Sequence, residues 1–174
     1  MVKLYVCKIC GEPYLGNEVD DCPFCGAPKN YLRAFEEYSE LWETGLTEQE
    51  KKDMQETLDL EINATALYDK VSKANKKYSK QNRLFKQLAR VEEEHAEIAA
   101  KFLNIEMPEI KGEDPKGSEK EDLERTKNLE DGAIKKYQKF LKNAENDNVK
   151  NFYLALIHAE KGHFDIASQE LELN

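Results

Sequence analysis

Cysteine is absent beyond residue 25 of this 174-residue chain, so no disulfide framework can staple its bulk. Positive charge is also short. The net charge of −9 lacks the clustered cations that phosphate binding needs, which argues against nucleic acid as a partner. No apolar run approaches the length of a bilayer span, so no membrane association is expected. The opening MVKLYVCKIC has no long apolar core of the secretory type, and the expected location is the cytoplasm. Histidine is rare as well, with only three in the chain, so their positions carry information.

The four cysteines form two closely spaced pairs, Cys7-x-x-Cys10 and Cys22-x-x-Cys25. Two-residue spacing suits chelation of one metal ion by four thiolates, iron or zinc, better than it suits disulfides. Gly11, Gly16 and Gly26 lie close by, as do three of the five prolines, Pro13, Pro23 and Pro28. Residues 1–30 therefore read as a small loop-rich unit that draws its folding energy from bound metal. Residues 31–46, with Tyr31, Phe35, Tyr38, Leu41 and Trp42 at roughly helical spacing, predict a connector containing a short amphipathic helix.

From residue 47 to 174 the pattern is helical. Thr47-x-x-Glu50 and Ser118-x-x-Glu121 are capping boxes. The periodicity predicts helices over about 47–75, 79–103, 118–143 and 147–171. The first and last pairs are joined by a few residues and must be antiparallel neighbours. The stretch NIEMPEIKGEDPKG separates the two pairs. Fourteen extended residues span about 45 Å, enough to return along the whole bundle.

One half-site is written twice on these helices. Glu61 precedes Glu92-x-x-His95, and Glu130 precedes Glu160-x-x-His163. Residues three apart share a helix face, and each of the four glutamates interrupts an apolar stripe. Each lies 12–14 residues past its helix start, so all four fall in one layer at mid-height. Burying four carboxylates together is costly without cations beside them. Four carboxylates and two imidazoles are the donor set of the ferritin-like carboxylate proteins with two iron or manganese ions, so the pattern matches a known arrangement. The surroundings repeat too, as Glu61-x-x-Ala64-x-x-x-Tyr68 and Glu130-x-x-Ala133-x-x-x-Tyr137. Tyr68 and Tyr137 are candidates to hydrogen-bond a ligating carboxylate, or else are core aromatics. His158 sits on a different face and is read as structural or surface.

With both metal units present, the chain resembles the rubrerythrins over nearly its whole length. CKICGEPYLG and CPFCGAPKNY are similar to the two knuckles of a rubredoxin-type domain. Their place ahead of the helices is that of the reverse rubrerythrins. The resemblance implies an all-α, ferritin-like four-helix bundle with one long crossover, preceded by a rubredoxin-like knuckle. It also implies a non-haem diiron peroxidase. Glu61, Glu92, His95, Glu130, Glu160 and His163 would hold the dinuclear iron, and Cys7, Cys10, Cys22 and Cys25 a mononuclear iron that relays single electrons. The implied partners are hydrogen peroxide, an external NAD(P)H-dependent reductase and a second copy of the chain, in a head-to-tail, domain-swapped homodimer.

The chain departs from the family pattern in two places. By the internal repeat, Ala133 stands where many rubrerythrins carry an extra carboxylate. That leaves a symmetric six-ligand site and keeps dioxygen open as the oxidant of an oxidase or ferroxidase. Glu12 and Pro13 replace an aromatic and an aliphatic residue in the first knuckle, which keeps zinc open there. A non-catalytic iron- or zinc-binding protein is the third reading.

Overall fold

The computed structural model describes residues 3–35, 38–74, 80–112 and 114–173. Three short strands come first: β1 (Lys3–Cys7), β2 (Pro13–Gly16) and β3 (Leu32–Ala34), in the order β2-β1-β3, both pairings antiparallel. Two matching turns carry the cysteines, one between β1 and β2 and one between β2 and β3. Gly11 N–H donates to Cys7 O and Gly26 N–H to Cys22 O, while Cys7 and Cys22 N–H donate to Glu12 O and Ala27 O. The turns need positive φ at Gly11 (+83°) and Gly26 (+67°), which an L side chain rarely adopts.

The sequence boundary at residue 30 falls inside this unit. A 3-10 turn at Lys29–Tyr31 leads directly into β3, which closes the far edge of β1. The helix expected over 31–46 is also not formed by the described part of that segment. Residues 38–47 run as irregular chain, and the apolar residues anchor one by one, with Leu41 fully buried and Tyr31 and Leu32 nearly so. Pairing of 32–34 with β1 satisfies backbone groups of an edge strand that a helix would have left open.

Four helices follow: α1 (Glu48–Ala74), α2 (Lys80–Leu103), α3 (Glu119–Asn143) and α4 (Asp147–Leu173). The expected ends at Asn75 and Ser79 lie outside the described residues. The first capping box forms in full, and at the second Ser118 caps α3 while its hydroxyl donates to Glu121 Oε2 at 2.6 Å. Glu50 N–H donates to Thr47 Oγ1 at 3.2 Å and Thr47 N–H returns to Glu50 Oε2 at 2.8 Å. Glu121 N–H donates to Ser118 Oγ at 3.3 Å. α2 ends in a Schellman turn, with Asn104 at φ +54°, Ile105 N–H on Ala100 O and Asn104 N–H on Lys101 O.

α1 packs along α2 and α3 along α4, and residues 104–118 cross from one hairpin to the other. This is the four-helix bundle with one long crossover that the connection lengths required. Lys70 holds the crossover by donating to Gly112 O at 2.7 Å. The knuckle does not stand apart, since its cysteines, Ile9, Ala27 and Leu41 join one apolar cluster with Met54, Leu58, Phe102 and Phe152.

Glu50 ties the hairpins at one end. Its side chain is buried, caps α1 and also accepts Glu145 N–H at 3.0 Å and Asn146 N–H at 2.9 Å at the start of α4. Glu50→Ala would leave these partly buried donors without their acceptor. The expected loss is about 1–2 kcal/mol in urea unfolding of the metal-loaded protein. Glu50→Gln keeps an acceptor and should lose clearly less.

Candidate metal centre

Each helix contributes one buried glutamate at mid-height, and the bundle brings all four together. Glu61, Glu92, Glu130 and Glu160 are each 3 % exposed or less, and His95 and His163 close the cluster from α2 and α4. Their donor atoms fall into two overlapping groups. One holds Glu61, Glu92, His95 and Glu160; the other Glu92, Glu130, Glu160 and His163. Glu92 and Glu160 belong to both, so the two Glu-x-x-His carboxylates would be the ligands shared by two bound metals. Glu61 and Glu130 each belong to one group and would be the terminal ligands.

The imidazoles aim the same atom inward. His95 Nδ1 lies 3.0 Å from Glu92 Oε2 and 3.3 Å from Glu160 Oε1, and His163 Nδ1 lies 2.9 Å from both Glu92 Oε1 and Glu160 Oε2. Tyr68 donates to Glu130 and Tyr137 to Glu61, so each tyrosine steadies the terminal carboxylate of the other hairpin. The repeat had suggested such a role without showing that the bonds cross between hairpins. Ala64 and Ala133, one turn beyond Glu61 and Glu130, are half-buried and offer no donor.

The electrostatics mark a site built for cations. Burial, and then the charges of Glu160 and Glu92, push the Glu61 carboxyl up to about 8. Burial and the charges of Glu92 and Glu160 push Glu130 well up in the same way. Burial acts on Glu92 too, but the His163 and His95 imidazoles outweigh it and hold that carboxyl well below the usual range. Burial opposes charge on both histidines, yet the surrounding carboxylates raise them well above their ordinary value. Glu92 Oε1 and Glu160 Oε1 are buried and accept no hydrogen bond, although an imidazole lies near each. Two cations between these oxygens would satisfy them and replace the protons. The donor set is therefore a diiron site in ligand type and arrangement.

The four cysteines are equally buried. Cys7 Sγ lies 3.7 Å from Cys25 Sγ and Cys10 Sγ 3.8 Å from Cys22 Sγ. A disulfide needs about 2.05 Å. A tetrahedral site with metal–sulfur bonds of about 2.3 Å has sulfur–sulfur edges of about 3.8 Å, so this knuckle is shaped to hold one iron or zinc. Hydrogen bonding with Cys10 pulls the Cys22 thiol down, while hydrogen bonding with Cys22 pushes Cys10 up and hydrogen bonding with Cys10 pushes Cys25 up.

The link between the centres was not legible in the sequence. His95 Nε2 lies 2.8 Å from Cys25 O. A carbonyl can only accept, so Nε2 carries a proton, and Nδ1 is the nitrogen that would give up its proton and offer a lone pair when a metal binds. The knuckle is seated on α4 by three further contacts. His158 Nε2 meets Asp21 Oδ1 at 2.8 Å, Tyr31 donates to Asn151 Oδ1 at 3.3 Å, and a Cβ on Gly26 would lie 3.0 Å from Ala159 Cβ. His158 is thus an exposed docking residue, not a ligand. No periodicity in the sequence connects residue 25 to residue 95.

Metal removal should reveal the trapped protons. Unfolded Glu61 titrates near 4.5 but in the metal-free fold near about 8. Between those values the folded chain holds a proton that the unfolded chain lacks, so stability falls as pH rises through the window. Glu130, His95 and His163 shift upward too and act in the same direction. Calorimetry of chelator-treated protein should therefore show Tm dropping between about pH 5 and about pH 8. The metal-loaded protein, already deprotonated at these groups, should not show that drop. A rising Tm after chelation would contradict the buried cluster.

No curated protein and no solved structure matches the chain. The Rubrerythrin family model matches residues 52–171, which takes in all six carboxylate and imidazole donors. A bundle matched over that length, and preceded by its four-cysteine knuckle where others carry it behind, belongs to the rubrerythrin family in the reverse arrangement.

Proposed function

We propose that the protein is a peroxide-reducing oxidoreductase in which the knuckle iron passes electrons to the dimetal site. The observation that carries this reading is the His95–Cys25 hydrogen bond, which joins a thiolate-held metal to a ligand of the dinuclear centre through a few bonded atoms. An iron held by four thiolates exchanges one electron with little change of geometry. When bound, a diiron pair supplies the two electrons that cleavage of a peroxide O–O bond takes up.

The chain's own residues prepare that step. Glu92 and Glu160 hold the two positions together, while Glu61 and Glu130 cap them from opposite hairpins. The tyrosine hydroxyls fix the terminal carboxylates. Surrounding apolar side chains, among them Leu58, Phe85 and Leu156, keep bulk water from the layer. Membership of the rubrerythrin family supports redox chemistry at such a site. An external NAD(P)H-dependent reductase would reload the knuckle, and the cytoplasm fits a four-thiolate centre. No helix among the described residues is long and apolar enough to cross a membrane.

The contact between centres within one chain supports an intramolecular route for the electrons. A domain-swapped homodimer would make the same contact between chains. Ala133 favours a second reading. With no carboxylate at that position, the donor set is the symmetric six-ligand one, which suits dioxygen reduction by an oxidase.

Stopped-flow mixing of the fully reduced protein should show dimetal oxidation faster with peroxide than with dioxygen. Equal or faster oxidation by dioxygen would transfer the assignment to the oxidase. Metal analysis should give about three irons per chain, one mononuclear and two dinuclear. One zinc with two irons would remove the internal electron carrier.

A further inference from the structure

The helices alone would make the two halves of the dimetal site equivalent. Each half has a terminal glutamate steadied by a tyrosine of the other hairpin, two shared carboxylates and one imidazole through Nδ1. The knuckle breaks this symmetry. His95 Nε2 is anchored on Cys25 O at 2.8 Å. Among the described residues, no protein group is bonded to His163 Nε2. Exposure differs in the same sense, at 1 % for the His95 side chain and 8 % for that of His163.

Building on the dimetal reading, we propose that the two halves bind metal with unequal affinity. The Glu61–His95 half is tight because the knuckle holds its imidazole, and the Glu130–His163 half is labile. An outer hydrogen bond on a ligating histidine fixes its tautomer and ring orientation, and loss of such a partner costs about 10–100-fold in metal affinity. His95 meets the metal already oriented. His163 must select both tautomer and rotamer when metal arrives.

The anchor is also conditional. Cys25 is one of the four knuckle thiols, and a unit this small draws folding energy from its metal as well as from the apolar cluster it shares with the bundle. Metal in the knuckle therefore places the carbonyl that prepares His95, and the two centres load in a coupled order. Coupling between binding sites is reciprocal, so metal at the Glu61–His95 half also tightens the knuckle. The Gly26–Ala159 contact transmits this coupling by setting how closely the loop approaches the bundle.

Manganese(II) is the probe, added without oxygen to the full chain carrying zinc in the knuckle and no metal in the bundle. The first equivalent should give the six-line spectrum of isolated Mn(II) by electron paramagnetic resonance. The exchange-coupled pair should appear only with the second, the two dissociation constants differing by about 10–100-fold. Gly26→Ala puts a Cβ against Ala159 at positive φ and should weaken the first step toward the second, leaving the second unchanged. His163→Ala should keep the tight step and His95→Ala should lose it. A coupled spectrum from the first equivalent would overturn the proposal, as would equal weakening of both steps, or of neither, in Gly26→Ala. Those outcomes leave the dimetal site standing, whereas failure to bind any manganese would remove both.

Discussion

Four carboxylates share one dry layer of this bundle, and mutual repulsion is the constraint on which the rest depends. Without cations the layer must hold protons, which is why Glu61 and Glu130 move up and the two histidines stay charged. With cations the same oxygens become ligands. Every element that fixes their positions resists that repulsion: two capped hairpins, a crossover pinned by Lys70, and tyrosines reaching from one hairpin to the carboxylate of the other. Electrostatic cost at the centre sets the required rigidity at the ends.

The knuckle meets the opposite difficulty. It is too small to bury a core of its own, and it solves this by sharing one. Its cysteines and Ile9 continue into the apolar cluster of the bundle, and its second turn lies against Ala159. Close packing of that turn brings a backbone carbonyl to His95. The two metal centres are thus adjacent as a by-product of how the smaller unit gains stability, and the function uses that proximity.

Much of this was readable from residue order because it rests on short-range periodicity. Glu92 and His95, or Glu160 and His163, share a face by helical geometry alone, and capping boxes placed Thr47 and Ser118 correctly. Connection lengths fixed the topology. What escaped were pairings set by tertiary approach. The spacing of Tyr31, Leu41 and Trp42 looked helical, yet β1 needed a partner along its open edge and took residues 32–34. The division into bridging Glu92 and Glu160 and terminal Glu61 and Glu130 depends on how four helices face one another. The Cys25–His95 bond depends on where a folded loop settles.

That last bond has an acceptor of an uncommon kind. A main-chain carbonyl belongs to every residue, so no single side-chain replacement at position 25 can delete it. Alanine scanning of the knuckle would disturb the thiolates and still pass over this oxygen. Selection can retune the connection only by shifting the loop as a body, through small residues such as Gly26 and Ala159 where it rests. Variation among relatives in how the two centres communicate should therefore be written in loop packing, not in the identity of any residue that touches both.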